Sequence, residues 1–239
     1  MEQIKSADKN IDPKVIVALD FDTADETLAL VDQLKPTMCR LKIGKQIFTR
    51  EGPQLVKSLI AKGYDVFLDL KFHDIPNTVA AACAAAAELG VWMINVHAQG
   101  GPSMMRAARE AINQCAHKPL LIGVTILTSL NTDEIRAVGL HGSTEDNVMR
   151  LAKLAQESGL DGVVCSPLEV LSLRDQLNSN FKLVTPGIRP AGSSKDDQKR
   201  VMTPKTALAA GSDYIVIGRP ITQSKHPLAA LQSILNEIK

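Results

Sequence analysis

The sequence predicts an α/β fold of the (β/α)8, or TIM barrel, class, built as a single domain. Three observations point there. Short runs rich in Val, Ile and Leu recur at fairly regular intervals, and many are continuous rather than alternating, as strands covered on both faces require. Segments of helical character lie between them with short connections, which implies parallel pairing through right-handed crossovers. The strand–helix pairs number eight, and eight closes a barrel. A doubly wound open sheet is the alternative use of the same units.

The expected strands are Val15–Asp20, Cys39–Ile43, Val66–Lys71, Trp92–His97, Leu120–Leu127, Gly162–Ser166, Lys182–Thr185 and Tyr214–Gly218. The expected helices are Ala24–Leu34, Pro53–Lys62, Pro76–Leu89, Pro102–Gln114, Thr144–Ser158, Pro167–Leu177, Thr203–Ala210 and Ile221–Ile238. Pro53, Pro76, Pro102 and Pro167 stand near helix starts, where a missing N–H costs least. Gly63, Gly90, Gly159 and Gly211 follow helix ends, where a positive φ is wanted. Thr132–Val138 reads as a short extra helix. Residues 1–239 read as one barrel domain, with 1–13 a polar N-terminal extension.

Composition narrows the function. The 239 residues fit one large domain, and 45% hydrophobic content is ample for a core. Aromatics are only 3%, so that core is aliphatic and stacking platforms for single-stranded nucleic acid are few. A net charge of +1 supplies no global field for nucleic acid or a membrane surface, though a local anion site remains open. Cys39, Cys83, Cys115 and Cys165 form no CxxC pair and read as reduced, mostly buried thiols. The first ten residues lack an apolar signal core. No apolar run approaches the roughly 20 residues of a membrane span. A soluble cytoplasmic protein is expected.

Charge stands out where strands should be apolar. Lys42 lies in Arg40-Leu41-Lys42-Ile43-Gly44, and Asp69, Lys71 and Asp74 lie in Asp65-Val66-Phe67-Leu68-Asp69-Leu70-Lys71-Phe72-His73-Asp74. A charge in a buried strand is costly unless paired. Asp69 and Lys71 are two apart, so on a regular strand they share a face. Two lysines and two aspartates on neighbouring strands suit a reaction that develops a carbanion and releases a carboxylate, without a cofactor. An ammonium between carboxylates keeps its proton, which favours Lys71 as cationic stabiliser and proton donor over a Schiff-base nucleophile. The bland alternative is a structural ion pair. Arg40 is assigned to such a pair. His73 and His97 form no convincing ligand set with other residues, so no metal is expected.

Barrel chemistry sits at the C-terminal ends of the strands. Asp20, Asp69, Lys71, His97, Thr128, Ser166, Arg189 and Arg219 all fall there. The last expected strand runs into Gly218-Arg219-Pro220, and the one before it into Pro186-Gly187-Ile188-Arg189-Pro190. Loops after strands seven and eight are this fold's frequent phosphate site, with backbone N–H groups and an arginine fork at the mouth. The alternative is that these glycines only turn the chain. Residues 191–200 form a long polar stretch that reads either as a surface loop or as a lid bringing Gln198 near the phosphate.

The run Asp69-Leu70-Lys71-Phe72-His73-Asp74-Ile75-Pro76-Asn77-Thr78 resembles the signature of the orotidine 5′-phosphate decarboxylase family, close to its bacterial type. Val17-Ala18-Leu19-Asp20, Leu41-Lys42-Ile43-Gly44, Asn95-Val96-His97-Ala98, Leu127-Thr128-Ser129, Thr185-Pro186-Gly187-Ile188-Arg189-Pro190 and Val216-Ile217-Gly218-Arg219-Pro220 match in order. The resemblance covers about residues 14 to 225. It implies decarboxylation of orotidine 5′-monophosphate to uridine 5′-monophosphate with no cofactor. It further implies that Asp20 and Lys42 hold the ribose hydroxyls and that Asp69 lies beside the substrate carboxylate. Lys71 would protonate C6, and Thr128 would contact the pyrimidine. Gln198, Gly218 and Arg219 would hold the phosphate, with Arg189 close by. Asp74 and Thr78 would reach into the site of a partner subunit, making a homodimer part of the active site. Three rivals are a metal-dependent decarboxylase of a sugar-acid phosphate, a Schiff-base aldolase using Lys71 or Lys42, and a non-catalytic sensor of a phosphorylated ligand.

Overall fold

The computed structural model describes residues 12–190 and 202–239. Eight parallel strands close a barrel in chain order: β1 (Val15–Ala18), β2 (Arg40–Gly44), β3 (Val66–Phe72), β4 (Met93–His97), β5 (Leu120–Val124), β6 (Gly162–Val164), β7 (Lys182–Thr185) and β8 (Tyr214–Ile217). β8 pairs back onto β1, with Ile16 opposite Val216. That closure excludes the open doubly wound sheet.

Around the barrel run α1 (Ala24–Val31), α2 (Lys45–Ala61), α3 (Pro76–Glu88), α4 (Gly101–Gln114), α5 (Thr132–Ala137), α6 (Thr144–Glu157), α7 (Val170–Gln176), α8 (Pro204–Ala209), α9 (Arg219–Thr222) and α10 (Pro227–Glu237). Local chemistry fixes several starts. Thr23 Oγ1 accepts the Glu26 N–H, and Asn131 with Glu134 and Ser143 with Asp146 form reciprocal capping boxes.

Three helices depart from expectation. α2 begins at Lys45, a stretch with no capping side chain, and breaks at Gly52, whose φ is 64°, before Pro53 restarts it. The expected single helix Ile221–Ile238 is two, α9 and α10, because Pro227 opens a new helix and His226 before it leaves the helical region (φ −134°, ψ 76°). Pro167–Glu169 forms a 3-10 turn ahead of α7 rather than its first turn. β1 and β5 stop at Ala18 and Val124, so Asp20 and Thr128 stand on the loops beyond them.

Two apolar layers hold this arrangement. The larger lies between strands and helices and includes Val17, Leu41, Leu68, Ile94 and Leu121. The smaller fills the barrel with Ile16, Ala18, Phe67, Met93, Ile122, Val184, Tyr214 and Val216. Alternate strand residues point inward. Below the interior layer, the Arg40 guanidinium stacks 4.1 Å from the Trp92 ring centroid and 5.1 Å from that of Tyr214. It also pairs with Asp65 at 3.0 Å and Asp12 at 2.7 Å, the structural role expected of it. Above that layer the interior turns polar, at the C-terminal ends of the strands.

Candidate active site

A cavity of about 490 Å³ opens at that end. It is lined by the apolar side chains of Ala18, Phe67, Val124, Val164, Val184 and Val216 and by the charged side chains of Asp20, Lys42, Asp69 and Lys71. The charged side chains form a row of alternating sign. Lys42 Nζ stands 3.4 Å from Asp20 Oδ1 and 3.3 Å from Asp69 Oδ2, and Lys71 Nζ stands 2.6 Å from Asp69 Oδ1. Asn95 of β4 completes the set by donating from Nδ2 to Asp69 Oδ1 at 2.7 Å.

Burial sets the electrostatics. Lys42 and Asp69 side chains are each 11% exposed, against 65% for Asp20. Desolvation alone would drive both inner groups toward neutrality. For Lys42 the neighbouring Asp69 and Asp20 outweigh it and hold the ammonium above its ordinary range. For Asp69 the two lysines, with hydrogen bonds from Lys71 and Asn95, outweigh it and hold the carboxyl below its ordinary range. Both shifts favour the ionised pair.

The strand that carries the row is irregular. β3 pairs Leu68 with Ile94, then Phe72 with Val96, so residues between them leave the ladder. Lys71 has φ 52°, the only positive φ at a non-glycine among the described residues. Asp69 and Lys71 therefore face one another through a bulge, not through the regular alternation the sequence suggested. Asn95 accepts the Lys71 N–H on Oδ1 at 2.8 Å, replacing the lost ladder partner. Sequence reasoning assigned Asn95 no role. Its signals were a polar residue inside the apolar strand Met93-Ile94-Asn95-Val96 and its place in the matching run Asn95-Val96-His97-Ala98.

The rest of the expected residues divide clearly. Thr128, Arg189, Gly218 and Arg219 line the cavity, the first three on the loops after β5, β7 and β8 and Arg219 at the start of α9. Gly187 turns the β7 loop at φ 78°, a conformation that suits glycine. Gly44 borders the row: a Cβ there would make ordinary contact with Lys42 Nζ at 3.4 Å and Asp20 Oδ1 at 3.5 Å. Asp74 and Thr78 are exposed on the segment after β3 and do not line the cavity. Within one chain the row's second carboxylate is thus Asp20, and the Asp74 carboxylate accepts the Ile75 N–H at 2.6 Å. Gln198 lies outside the described residues, as does most of the expected lid. The feet of that segment meet: Ile188 bridges Met202, and the Arg189 N–H donates to the Met202 carbonyl at 3.0 Å. Among the described residues no three His, Cys, Asp or Glu side chains converge as metal ligands would. No described helix is long and apolar enough to cross a membrane.

The family model described as orotidine 5′-phosphate decarboxylase / HUMPS family matches residues 13–234. The chain belongs to that family. Orotidine 5′-phosphate decarboxylase of Saccharophagus degradans is 58% identical over 227 residues, covering 95% of each chain. That of Laribacter hongkongensis is 60% identical over 220 residues, covering 92% of this chain and 90% of its relative. The crystal structure of orotidine 5′-phosphate decarboxylase from Lactobacillus acidophilus superposes with a TM-score of 0.86 at 40% identity, over 95% of this chain and all of the other. An uncharacterized conserved protein from Geobacillus kaustophilus superposes with a TM-score of 0.83 at 36% identity, over 94% of this chain and 100% of that one. This member of the decarboxylase family thus keeps its charged row inside the matched region.

Proposed function

We propose that the chain decarboxylates orotidine 5′-monophosphate to uridine 5′-monophosphate and CO₂ in pyrimidine synthesis, in the cytoplasm and without a cofactor. Family membership and close bacterial relatives of that name support the reaction. The observation that carries the chemistry is the row Asp20–Lys42–Asp69–Lys71 at the barrel mouth.

Breaking the bond from C6 to the carboxylate leaves its electron pair on C6, in the ring plane, where the π-system cannot accept it. A positioned ammonium is the direct remedy. In this reading Lys71 stabilises the developing carbanion and passes its proton to C6, then regains one from water. Asp69 holds Lys71 in place. Both its oxygens are already engaged, by Lys42 on one side and by Lys71 and Asn95 on the other, which favours positioning over simple repulsion of the substrate carboxylate. Asp20 and Lys42 take the ribose hydroxyls, and Thr128 contacts the pyrimidine. Gly218, Arg219 and, from beyond the described residues, Gln198 take the phosphate, with Arg189 close by. Phosphate binding lies far from the broken bond. Its binding energy aids turnover by orienting the reacting charges.

The working unit in this proposal is a homodimer. Asp74 and Thr78 are exposed, which leaves them accessible to a second subunit.

The test follows the ultraviolet absorbance of orotidine 5′-monophosphate with purified chain and EDTA, beside Lys71→Ala. Loss of the substrate band with the parent chain alone supports a metal-independent reaction centred on Lys71. Persistence of the band with folded, dimeric parent chain rejects it and puts the metal-dependent sugar-acid phosphate reaction first. Turnover by Lys71→Ala equal to the parent's would remove Lys71 from the chemistry.

A further inference from the structure

We infer that Asn95 is a positioning residue of the decarboxylation, holding the β3 bulge in the one shape that aims Lys71 and Asp69 together; this rests on the reaction proposed above. Asn95 has no solvent exposure, so each of its polar atoms needs a partner. Both partners belong to the charged row. Oδ1 accepts the Lys71 backbone N–H at 2.8 Å, and Nδ2 donates to Asp69 Oδ1 at 2.7 Å. One amide thus grips the main chain of the proton donor and the side chain of its neighbour.

The grip matters because it meets the bulge at the residue that departs furthest from strand geometry. Lys71 sits at φ 52°, a conformation that L side chains disfavour. The β3–β4 ladder skips from Leu68 to Phe72, and on the other side β2 pairs no further along β3 than Asp69, opposite Gly44, so strand pairing leaves Leu70 and Lys71 unheld. The facing residue of β4 is Asn95, whose own backbone stays in register with Ile122 of β5. Asn95 is therefore anchored to the regular sheet and reaches across to fix the irregular strand. Without it, β3 is free to relax toward ordinary alternation, which moves Lys71 Nζ relative to Asp69. A neutral amide also suits the site, because a third carboxylate beside Asp69 would compete for the lysines.

The experiment compares Asn95→Ala and Asn95→Asp with the parent chain. Turnover of orotidine 5′-monophosphate by the parent chain must come first: its absence defeats the reaction itself and not the role of Asn95. Given parent turnover, Asn95→Ala should lose about 100-fold in kcat, the scale of a misplacement near 1 Å, while affinity for uridine 5′-monophosphate stays near the parent's. The Lys71 amide, followed by hydrogen exchange, should lose its protection in the same variant. Asn95→Asp is close in shape and decides the matter if Asn95→Ala does not fold. Its carboxyl faces Asp69 and Lys71 of β3, with Lys42 of β2 beyond Asp69. Only when protonated can it both donate to Asp69 and accept from Lys71. Its kcat relative to the parent's should therefore rise as pH falls. Unchanged kcat in folded Asn95→Ala overturns the inference. So does an equal loss of kcat and nucleotide affinity, or a flat pH ratio in Asn95→Asp.

Discussion

Arg219 and His97 test two different uses of charge at the cavity. Arg219 opens α9 directly after Gly218 and lines the cavity beside the row. If it pairs with the substrate phosphate, Arg219→Ala should weaken binding of uridine 5′-monophosphate by about 1.5–3 kcal/mol, the range for a charge-assisted hydrogen bond. Uridine, which lacks the phosphate, should bind the variant and the parent alike. Calorimetric titration with both ligands checks this, and equal losses would remove the phosphate assignment. His97 ends β4 near Lys71. Burial, then the His73 ring 5.5 Å away, then Lys45 and Lys71 push its pKa from 6.5 down to about 4, against the pull of Asp69. The unfolded chain binds this proton near pH 6.5 and the native chain resists it until about pH 4, so native stability falls as pH drops through that window. The ring is only partly buried, so screening limits the effect to about 1–2 kcal/mol. Urea unfolding at pH 7 and pH 5 should show a larger drop for the parent than for His97→Gln. Equal drops would count against a strained neutral His97.

The strands were legible and the bulge was not, for a physical reason. β1 to β8 announce themselves as short aliphatic runs, because both faces of each strand are covered. The helix starts at Pro76 and near Pro102 carry punctuation that any reader of sequence can use. The first half of α2 carries none, and it was missed. The left-handed Lys71 carries none either, since lysine has no intrinsic preference for that conformation and the force holding it comes from Asn95, 24 residues away. Local sequence reports local causes, so a bulge pinned across a sheet stays silent. The barrel wall offers its own test. Gly162 of β6 meets β7 so closely that an added Cβ would overlap the Lys182 carbonyl oxygen and stand 2.7 Å from Lys182 Cβ. Backbone cannot swing aside as a side chain can, so Gly162→Ala should cost about 1–3 kcal/mol of stability, the usual penalty for overpacking. Chemical denaturation checks the number. Activity per folded molecule should stay near the parent's, because β6 supplies only Val164 to the cavity wall. A stable Gly162→Ala chain would mean that β6 and β7 can separate there.

At the scale of the molecule, Asp20, Lys42, Asp69 and Lys71 meet within one barrel, yet two residues of the signature stay outside it. Asp74 and Thr78 are exposed on the segment that leaves β3, beyond the bulge that turns Lys71 inward. Lys71 thus serves its own cavity while Asp74, three residues on, does not line it. A signature this compact has two destinations if a second subunit supplies the other cavity. That arrangement makes a specific demand. A chain with Asp74→Ala spoils its partner's site, whereas a chain with Lys71→Ala spoils its own. Mixing the two variants therefore yields heterodimers in which one of the two composite sites has both Lys71 and Asp74. Each variant alone should be nearly inactive, and the mixture should recover turnover as subunits exchange. With random pairing, about half of the dimers are mixed, and each carries one whole site in two. About a quarter of the parent's sites are then restored. Recovery that rises with exchange time and reaches that level supports a shared site. No recovery, with exchange verified by a mass-labelled subunit, would return Asp74 to its own chain and leave the row Asp20–Lys42–Asp69–Lys71 as the whole of the charged machinery.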